Sequence, residues 1–223
     1  MINGIRLKVC GITSLVDADA ADAVGADYLG FIFYAKSPRH APLTQYQAMK
    51  ERLPPRKKVA VSVNPSVADL AAQTKLGFDY FQVYFDPGTP ASTLAAWAQM
   101  AGRARLWLAP RLPMGKDVQS EWLPLADTIL LDTFHPDKPG GTGETGDWEK
   151  FKRHRETHPT KTWILSGGLN QHNIAGAVAA TGAKFIDVNS GVEQAPGVKS
   201  PAKLKAFVHA LHNATKHHNP AYG

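Results

Sequence analysis

The chain has 223 residues, of which 43% are apolar, so it is long enough to bury one substantial hydrophobic core. Lysine and arginine total 25 against 19 aspartates and glutamates, which gives a formal net charge of +6. This excess favours acidic small molecules as ligands but is modest for a nucleic-acid binder, and no basic stripe with interleaved aromatic residues is present. We therefore expect one domain that binds a small molecule rather than nucleic acid.

Cysteine content and hydropathy indicate the compartment. Cys10 is the one cysteine of the chain, so no internal disulfide can form, which is typical of proteins in a reducing compartment. No apolar run is long enough to span a membrane, and the N-terminus lacks the pattern of a signal peptide. We expect a cytoplasmic protein without membrane contacts. Polar composition after Leu211 predicts a domain over residues 1–212 and a polar C-terminal tail over 213–223.

Short, continuous apolar runs recur along the chain, and each is followed by a turn and a helix-like segment. This alternation is typical of a parallel sheet whose strands are covered on both faces. The unit after the fifth run is the weakest, because prolines interrupt it. The eight predicted strands are Ile5–Val9, Tyr28–Phe33, Val59–Val63, Tyr80–Val83, Leu106–Ala109, Thr128–Leu131, Trp163–Leu165 and Phe185–Val188.

The positions of polar residues distinguish two arrangements of such a sheet. A (β/α)8 TIM barrel places its site at the carboxyl ends of many strands, whereas a doubly wound open sheet uses one crevice. Polar residues follow nearly every predicted strand, among them Cys10, Arg111, Asp132 and Asp187. We therefore predict a single-domain α/β protein with a (β/α)8 TIM barrel and keep the open sheet as the second choice.

Two turns that contain glycine follow the last two predicted strands. Gly167 and Gly168 come after the seventh strand, and Ser190 and Gly191 come after the eighth. In barrels these loops commonly bind phosphate through backbone N–H groups, and glycine lets the backbone approach the phosphate oxygens. Each pair alone could be a tight turn, but their occurrence in both loops favours a phosphate site.

Four ionisable side chains near predicted strand ends are candidates for catalysis or binding. Cys10 and Asp132 end the first and sixth strands, so a barrel would place a thiol and a carboxylate across its mouth, where they could act as base and acid. Arg39 could bind a carboxylate, and Asp187 needs a partner because a buried unpaired charge is costly. A small core residue and a helix cap remain the alternatives for Cys10 and Asp132.

A glycine-rich stretch follows the sixth predicted strand. It contains Gly140, Gly141, Gly143 and Gly146 within a few residues. This density indicates a backbone that approaches a ligand closely or adopts positive φ angles repeatedly, although a surface loop is the alternative.

Together, these segments resemble the phosphoribosylanthranilate isomerase family, the barrel enzymes of tryptophan biosynthesis. The resemblance covers nearly the whole chain and depends on the order and spacing of motifs that are individually weak. The principal motifs are Lys8-Val9-Cys10-Gly11-Ile12-Thr13, Gly30-Phe31-Ile32-Phe33, Ser37-Pro38-Arg39, Leu131-Asp132-Thr133, Pro139-Gly140-Gly141-Thr142-Gly143, Gly167-Gly168-Leu169, Asp187-Val188 and Ser190-Gly191-Val192-Glu193.

The resemblance implies an Amadori rearrangement of N-(5′-phosphoribosyl)anthranilate that requires no metal or organic cofactor. It implies that Asp132 is the general acid and that Cys10, as a thiolate, is the general base. An ordinary thiol with a pKa of about 8.5 is mostly protonated at neutral pH, so this role needs a nearby positive charge or dipole.

The resemblance also implies which residues bind the substrate. Arg39 would hold the anthranilate end, and Asp187 would orient the substrate. Residues of the three glycine-containing loops would bind or cover the phosphate end, namely Gly141, Gly143, Gly167, Gly168, Ser190 and Gly191. The chain would act on this phosphorylated small molecule as a monomer or a homodimer.

One departure from the family pattern follows the fourth predicted strand. The family usually has Gln-Leu-His-Gly there, whereas this chain has Gln82-Val83-Tyr84-Phe85. We expect Tyr84 and Phe85 to lie at the rim of the mouth and to alter how the substrate fits. Two alternative functions therefore remain: another phosphate-sugar isomerase or epimerase with a remodelled pocket, and a non-catalytic barrel that binds a phosphorylated ligand.

Overall fold

The computed structural model describes residues 1–113, 115–132 and 147–216. The predicted glycine loop with Gly141 and Gly143 lies outside the described residues. Within the described ranges, no helix is long and apolar enough to cross a membrane.

Eight parallel strands close into a barrel in sequence order. The first and last strands pair from Arg6 with Phe185 to Val9 with Val188, and this pairing distinguishes a closed barrel from an open sheet. The predicted TIM barrel is therefore confirmed, and the open sheet was the wrong alternative. The strands are β1 (Arg6–Val9), β2 (Tyr28–Ile32), β3 (Lys57–Val63), β4 (Tyr80–Phe85), β5 (Leu106–Pro110), β6 (Thr128–Asp132), β7 (Thr162–Ser166) and β8 (Phe185–Val188).

Helices connect most strands, and among the described residues the unit after β5 has none of the α type. There, a 3₁₀ segment at Ser120–Leu125 contains Pro124 and anchors itself through the buried Trp122. Proline lacks an N–H donor and clashes with the preceding turn, which explains why a regular helix does not form. The helices are α1 (Leu15–Ala23), α2 (Leu43–Met49), α3 (Val67–Thr74), α4 (Ala91–Ala101), α5 (Trp148–Thr157), α6 (Ile174–Thr181) and α7 (Pro201–Lys216).

The last helix continues past the predicted domain boundary at residue 212. Helix α7 buries Leu204, Phe207 and Leu211 against the barrel and continues to Lys216. The polar residues 213–216 therefore extend this helix, and the boundary at residue 212 stays a prediction.

A small antiparallel hairpin, β9 (Glu193–Ala195) and β10 (Val198–Lys199), follows β8 and lies beside the first helix. Ser14 caps α1 by accepting the N–H of Asp17, and the Asp17 carboxylate accepts the N–H of Lys199 at 2.7 Å. The same carboxylate accepts the hydroxyl of Ser14 at 2.7 Å, so one buried side chain links the start of α1 to the hairpin.

Aromatic side chains fill the amino-terminal end of the barrel. Tyr28, Tyr80, Trp107 and Phe185 contact one another with ring centroids 4.8 to 5.7 Å apart. These edge-to-face and tilted contacts are favourable for aromatic rings and leave no pore at this end. The barrel interior is therefore apolar at this end.

Tyr84 and Phe85 point to opposite faces of β4, as successive residues of a strand do. Tyr84 packs against the cluster inside the barrel. Phe85 is fully buried outside it, with its ring centroid 5.0 Å from that of Trp122 and 6.3 Å from that of Trp97. The expectation that both aromatics lie at the rim is wrong for Phe85, because the strand's alternation directs it into the outer core.

This position predicts that Phe85 contributes stability rather than substrate fit. We expect Phe85→Ala to lower the free energy of unfolding by about 3–5 kcal/mol, because it opens a cavity between the barrel and Trp122. Urea unfolding followed by circular dichroism would measure the loss, with Phe85→Leu as a control that retains most of the packing. A stability loss below about 1 kcal/mol, or a large change in KM in the folded variant, would contradict this assignment.

Candidate active site

The carboxyl end of the barrel opens into a pocket of about 260 Å³. Its lining comes from both sides of the mouth and includes most of the residues that the sequence singled out. From the predicted set, the lining residues are Cys10, Arg39, Asp132, Gly167, Gly168, Asp187 and Ser190. Residues predicted from segments far apart in the sequence therefore form one site.

The turns after β7 and β8 form one wall of the pocket. Gly167 and Gly168 have φ angles of 101° and 61°, a region that side chains other than glycine rarely adopt. The side chain of Asn173 holds this turn by donating to the carbonyl oxygen of Gly168 at 3.0 Å. The second turn begins at Ser190 as a short 3₁₀ segment. Both turns therefore line the pocket, and binding of an anion by their backbone groups stays a prediction.

Gly191 does not line the pocket but joins the two turns from behind. A Cβ atom at this position would overlap the carbonyl oxygen of Leu169, which belongs to the turn after β7. Glycine is thus required because the two backbones touch here. Gly191 thus sets the separation of the two turns, and its part in binding the substrate stays a prediction.

The candidate acid and base lie on different strands of the same mouth. Asp132 ends β6 and is exposed, whereas Cys10 follows β1 and is 4% exposed. Burial raises the pKa of the Cys10 thiol above its ordinary value, and the nearby Lys8 ammonium counteracts this only in part.

Lys8 is a buried cation within the site to which the sequence assigned no role. Its side chain is fully buried, and its Nζ donates to both carboxylate oxygens of Asp187 at 2.9 and 3.0 Å. Lys8 precedes Cys10 by two residues, so both side chains point into the barrel. The two-residue spacing could have indicated that Lys8 lies beside Cys10, but the sequence did not show that Asp187 is the partner of Lys8.

A second ionic cluster lies between Arg39 and the hairpin. The Nε and Nη2 atoms of Arg39 donate to the carboxylate of Glu193 at 2.7 to 3.0 Å, and Lys199 donates to the same carboxylate at 2.9 Å. Glu193 and Lys199 are buried, and neither was predicted as a site residue. One edge of the Arg39 guanidinium is therefore occupied, and within the part of the chain that the structure describes its Nη1 atom makes no hydrogen bond.

Tyr84 stands where the family pattern has histidine. It lines the main pocket and also, with Asp132, a neighbouring cleft that contains Arg111 and Pro113. Burial, followed by the charges of Asp132, Asp187 and Cys10, raises the pKa of Tyr84 well above its ordinary value. Its hydroxyl therefore remains a neutral group in the centre of the site.

The ionic cluster around Glu193 predicts a pH-dependent contribution to stability. Burial alone would raise the pKa of Glu193, but hydrogen bonds from Arg39 and Lys199 outweigh it and hold the pKa below the ordinary value of 4.5. Because the folded-state pKa is lower than the unfolded one, the stabilisation is present above pH 4.5 and is lost as the pH falls through the folded-state value.

We expect Glu193→Gln to lower the free energy of unfolding by about 2 kcal/mol at pH 7, since it removes charged hydrogen bonds. The difference from the unmodified protein should shrink as the pH falls well below the unfolded-state pKa. Urea unfolding at a series of pH values would measure both effects. A difference that stays constant with pH would show that the charge of Glu193 does not contribute.

Comparison with known proteins identifies relatives along nearly the whole chain. The model of the family described as N-(5′phosphoribosyl)anthranilate (PRA) isomerase matches residues 7–210. The N-(5′-phosphoribosyl)anthranilate isomerase of Pseudomonas fluorescens is 38% identical over 217 residues, which cover 95% of this chain and 98% of that protein. The protein of the same name from Pseudomonas putida is 39% identical over 215 residues and is covered to 98%, with 94% of this chain aligned.

Solved structures give the same result. Phosphoribosyl anthranilate isomerase from Thermotoga maritima matches with a TM-score of 0.76 and 30% identity, covering 94% of this chain and 99% of that one. A complex of phosphoribosyl anthranilate isomerase with reduced 1-(o-carboxyphenylamino)-1-deoxyribulose 5-phosphate matches with a TM-score of 0.72 and 28% identity over the same shares of the two chains. This chain therefore belongs to the N-(5′-phosphoribosyl)anthranilate isomerase family.

Proposed function

We propose that this chain catalyses the Amadori rearrangement of N-(5′-phosphoribosyl)anthranilate to 1-(2-carboxyphenylamino)-1-deoxyribulose 5-phosphate, a step of tryptophan biosynthesis. The observation that carries the proposal is one pocket that combines a thiol, a carboxylate and two glycine turns, in a chain of this family. A relative that binds a reduced form of this product adds support.

The pocket suggests how the substrate lies. The phosphate binds the turns at Gly168 and Ser190, which places the ribose between Cys10 and Asp132. The aryl ring then extends toward the apolar side of the pocket, and its carboxylate meets the remaining Nη1 of Arg39.

Each proton transfer then has a donor and an acceptor. Asp132 gives a proton to the ribose ring oxygen, the bond from that oxygen to C1′ breaks, and the amine lone pair forms an iminium. The Cys10 thiolate removes the C2′ proton and becomes a thiol, while the electrons of that bond neutralise the iminium to an enolamine. The enolamine tautomerises to the ketone. The substrate's own nitrogen accepts the electrons, so this chemistry needs no metal or organic cofactor.

The proposal predicts that Cys10→Ala and Asp132→Ala each reduce kcat by orders of magnitude, at least about 10²-fold, while the barrel stays folded. The loss of anthranilate-ribosyl fluorescence would measure turnover, and circular dichroism would check the fold. Lys161→Met, at the opposite end of the barrel, is the matched control. Near-normal rates in both site variants would overturn the assigned roles.

A substrate panel tests the two alternative functions. We expect turnover of the anthranilate compound and not of other phosphoribosyl amines. Turnover of another compound alone would favour an isomerase or epimerase with a pocket remodelled at Tyr84. Tight binding of phosphate esters without turnover would favour a non-catalytic barrel.

The contact between the two turns predicts an effect of Gly191→Ala on phosphate binding. The added methyl group would overlap the carbonyl oxygen of Leu169, so the turns must separate. We expect KM to rise about tenfold or more, equal to a loss of about 1.4 kcal/mol of binding, with a smaller change in kcat. Competitive inhibition by inorganic phosphate should weaken in parallel. An unchanged inhibition constant would contradict a phosphate site here.

The remaining features of the proposal concern partners and location. The partner is the phosphorylated small molecule, and nucleic acid and membranes are not partners. The chain acts as a monomer or a homodimer; monomers generated from the dimeric enzyme of Thermotoga maritima have been crystallised, so both states occur in a relative. The free thiol of Cys10 fits a cytoplasmic location.

A further inference from the structure

The buried pair of Lys8 and Asp187 lies next to the reacting groups, yet the proposed proton transfers do not use Lys8. Both oxygens of Asp187 bind the Lys8 ammonium, and its side chain is only 3% exposed. Each oxygen of Asp187 therefore already accepts from Lys8, although the residue also lines the pocket. A fully buried ion pair is expensive to desolvate, and Asp187 of this pair lines the pocket, so the pair calls for a functional explanation.

Gly30 provides the space that brings Lys8 to Cys10. An added Cβ at Gly30 would lie 2.9 Å from the Nζ of Lys8 and 3.0 Å from the Sγ of Cys10. The ammonium and the sulfur thus border the same small volume, which only glycine leaves open.

The two ionic clusters beside the pocket together carry one positive charge in excess, with Asp132 left out of the sum because it holds a proton in its proposed role as the acid. Three cations and two carboxylates form the two clusters beside the pocket, and a thiolate at Cys10 would neutralise the sum. These five side chains are Lys8, Arg39, Asp187, Glu193 and Lys199. Low-dielectric surroundings strengthen such interactions, so the nearest cation has the largest effect.

We propose that Lys8 stabilises the thiolate form of Cys10 and that Asp187 is a positioning residue, which holds the Lys8 ammonium in place instead of orienting the substrate directly. This proposal rests on the proposed role of Cys10 as the base. It supplies the positive neighbour that the thiolate requires and replaces the role that the family resemblance implied for Asp187.

The first experiment follows the reactivity of Cys10 without any substrate. Because Cys10 is the one cysteine in the chain, the rate of its alkylation by iodoacetamide against pH reports its ionisation alone. The titratable groups that face it are Lys8 on its own strand, Asp187 on β8, Lys199 on β10 and Tyr84 on β4. The Lys8→Met variant keeps Asp187, Lys199 and Tyr84, so a shift in the midpoint of the alkylation profile is due to the loss of Lys8.

We expect Lys8→Met to raise the alkylation midpoint by about one pH unit or more, a tenfold loss of thiolate at neutral pH. The value of kcat/KM should fall by a similar factor at neutral pH and recover in part as the pH rises. A purely structural role would lower activity at all pH values without moving the midpoint. Lys161→Met, whose amine binds the carbonyl oxygen of Ala126 at the opposite end, is the control and should change neither quantity.

Removal of Lys8 alone leaves the Asp187 carboxylate buried without a cation, which can prevent folding. The double variant Lys8→Met/Asp187→Asn removes both charges and keeps the test decisive. Its alkylation midpoint should also rise, but by less than in Lys8→Met, because the Asp187 carboxylate raises the pKa of Cys10 and its loss offsets part of the effect. A midpoint that stays unchanged or falls in this folded double variant would overturn the proposal.

The second experiment tests the role of Asp187 by a double-mutant cycle. If Asp187 acts through Lys8, Asp187→Asn should reduce kcat/KM strongly in the unmodified protein and little in the Lys8→Met background. Equal losses in both backgrounds would show that Asp187 acts on the substrate and would overturn that part of the proposal. If the proposed function is wrong, the Cys10→Ala variant will retain turnover. The alkylation experiment uses no substrate, so its result does not depend on that outcome.

Discussion

The ion pair between Lys8 and Asp187 is the interaction on which the site depends. The two residues are register partners on β1 and β8, the strands whose pairing closes the barrel. Their charges are fully desolvated, so neither could remain in the interior without the other. Closure of the barrel therefore brings a fixed ammonium beneath the mouth, directly below the thiol of Cys10. The same contact thus belongs both to the strand pairing that closes the barrel and to the active site, because the two residues meet only when the sheet closes.

The two ends of the barrel differ in composition: the amino-terminal end is packed with aromatic rings, and the carboxyl end holds the pocket. Aromatic rings seal the amino-terminal end around Tyr28 and Trp107, and this packing contributes apolar burial. At the carboxyl end, two glycine turns, a strand-end carboxylate and a buried thiol surround one pocket. Several charged groups there have ionic partners, such as Glu193 with Arg39 and Asp187 with Lys8, so part of the site is ordered before a substrate binds. Such preorganisation lowers the cost of aligning the reacting groups.

The exchange of the family's His-Gly for Tyr84 and Phe85 has two separate consequences. Tyr84 brings a neutral hydroxyl into the pocket beside Asp132, where a histidine could have carried a proton. Phe85 instead fills the space between β4 and the outer aromatics Trp97 and Trp122. The first change alters the lining of the pocket and the second alters packing, although the two residues are adjacent in the chain. Successive side chains of a strand point to opposite faces, so Tyr84 faces the barrel interior and Phe85 faces the outer core.

The order of the eight strands and the strand-end positions of Cys10 and Asp132 were determined by the sequence itself. Apolar runs mark strands, and parallel strands in a barrel present their carboxyl ends at one mouth. Only the tertiary structure decided the ionic partners, because Lys8 and Asp187 are 179 residues apart and Arg39 and Glu193 are 154 apart. Local patterns indicate that a buried charge needs a partner, but closure of the sheet selects which one.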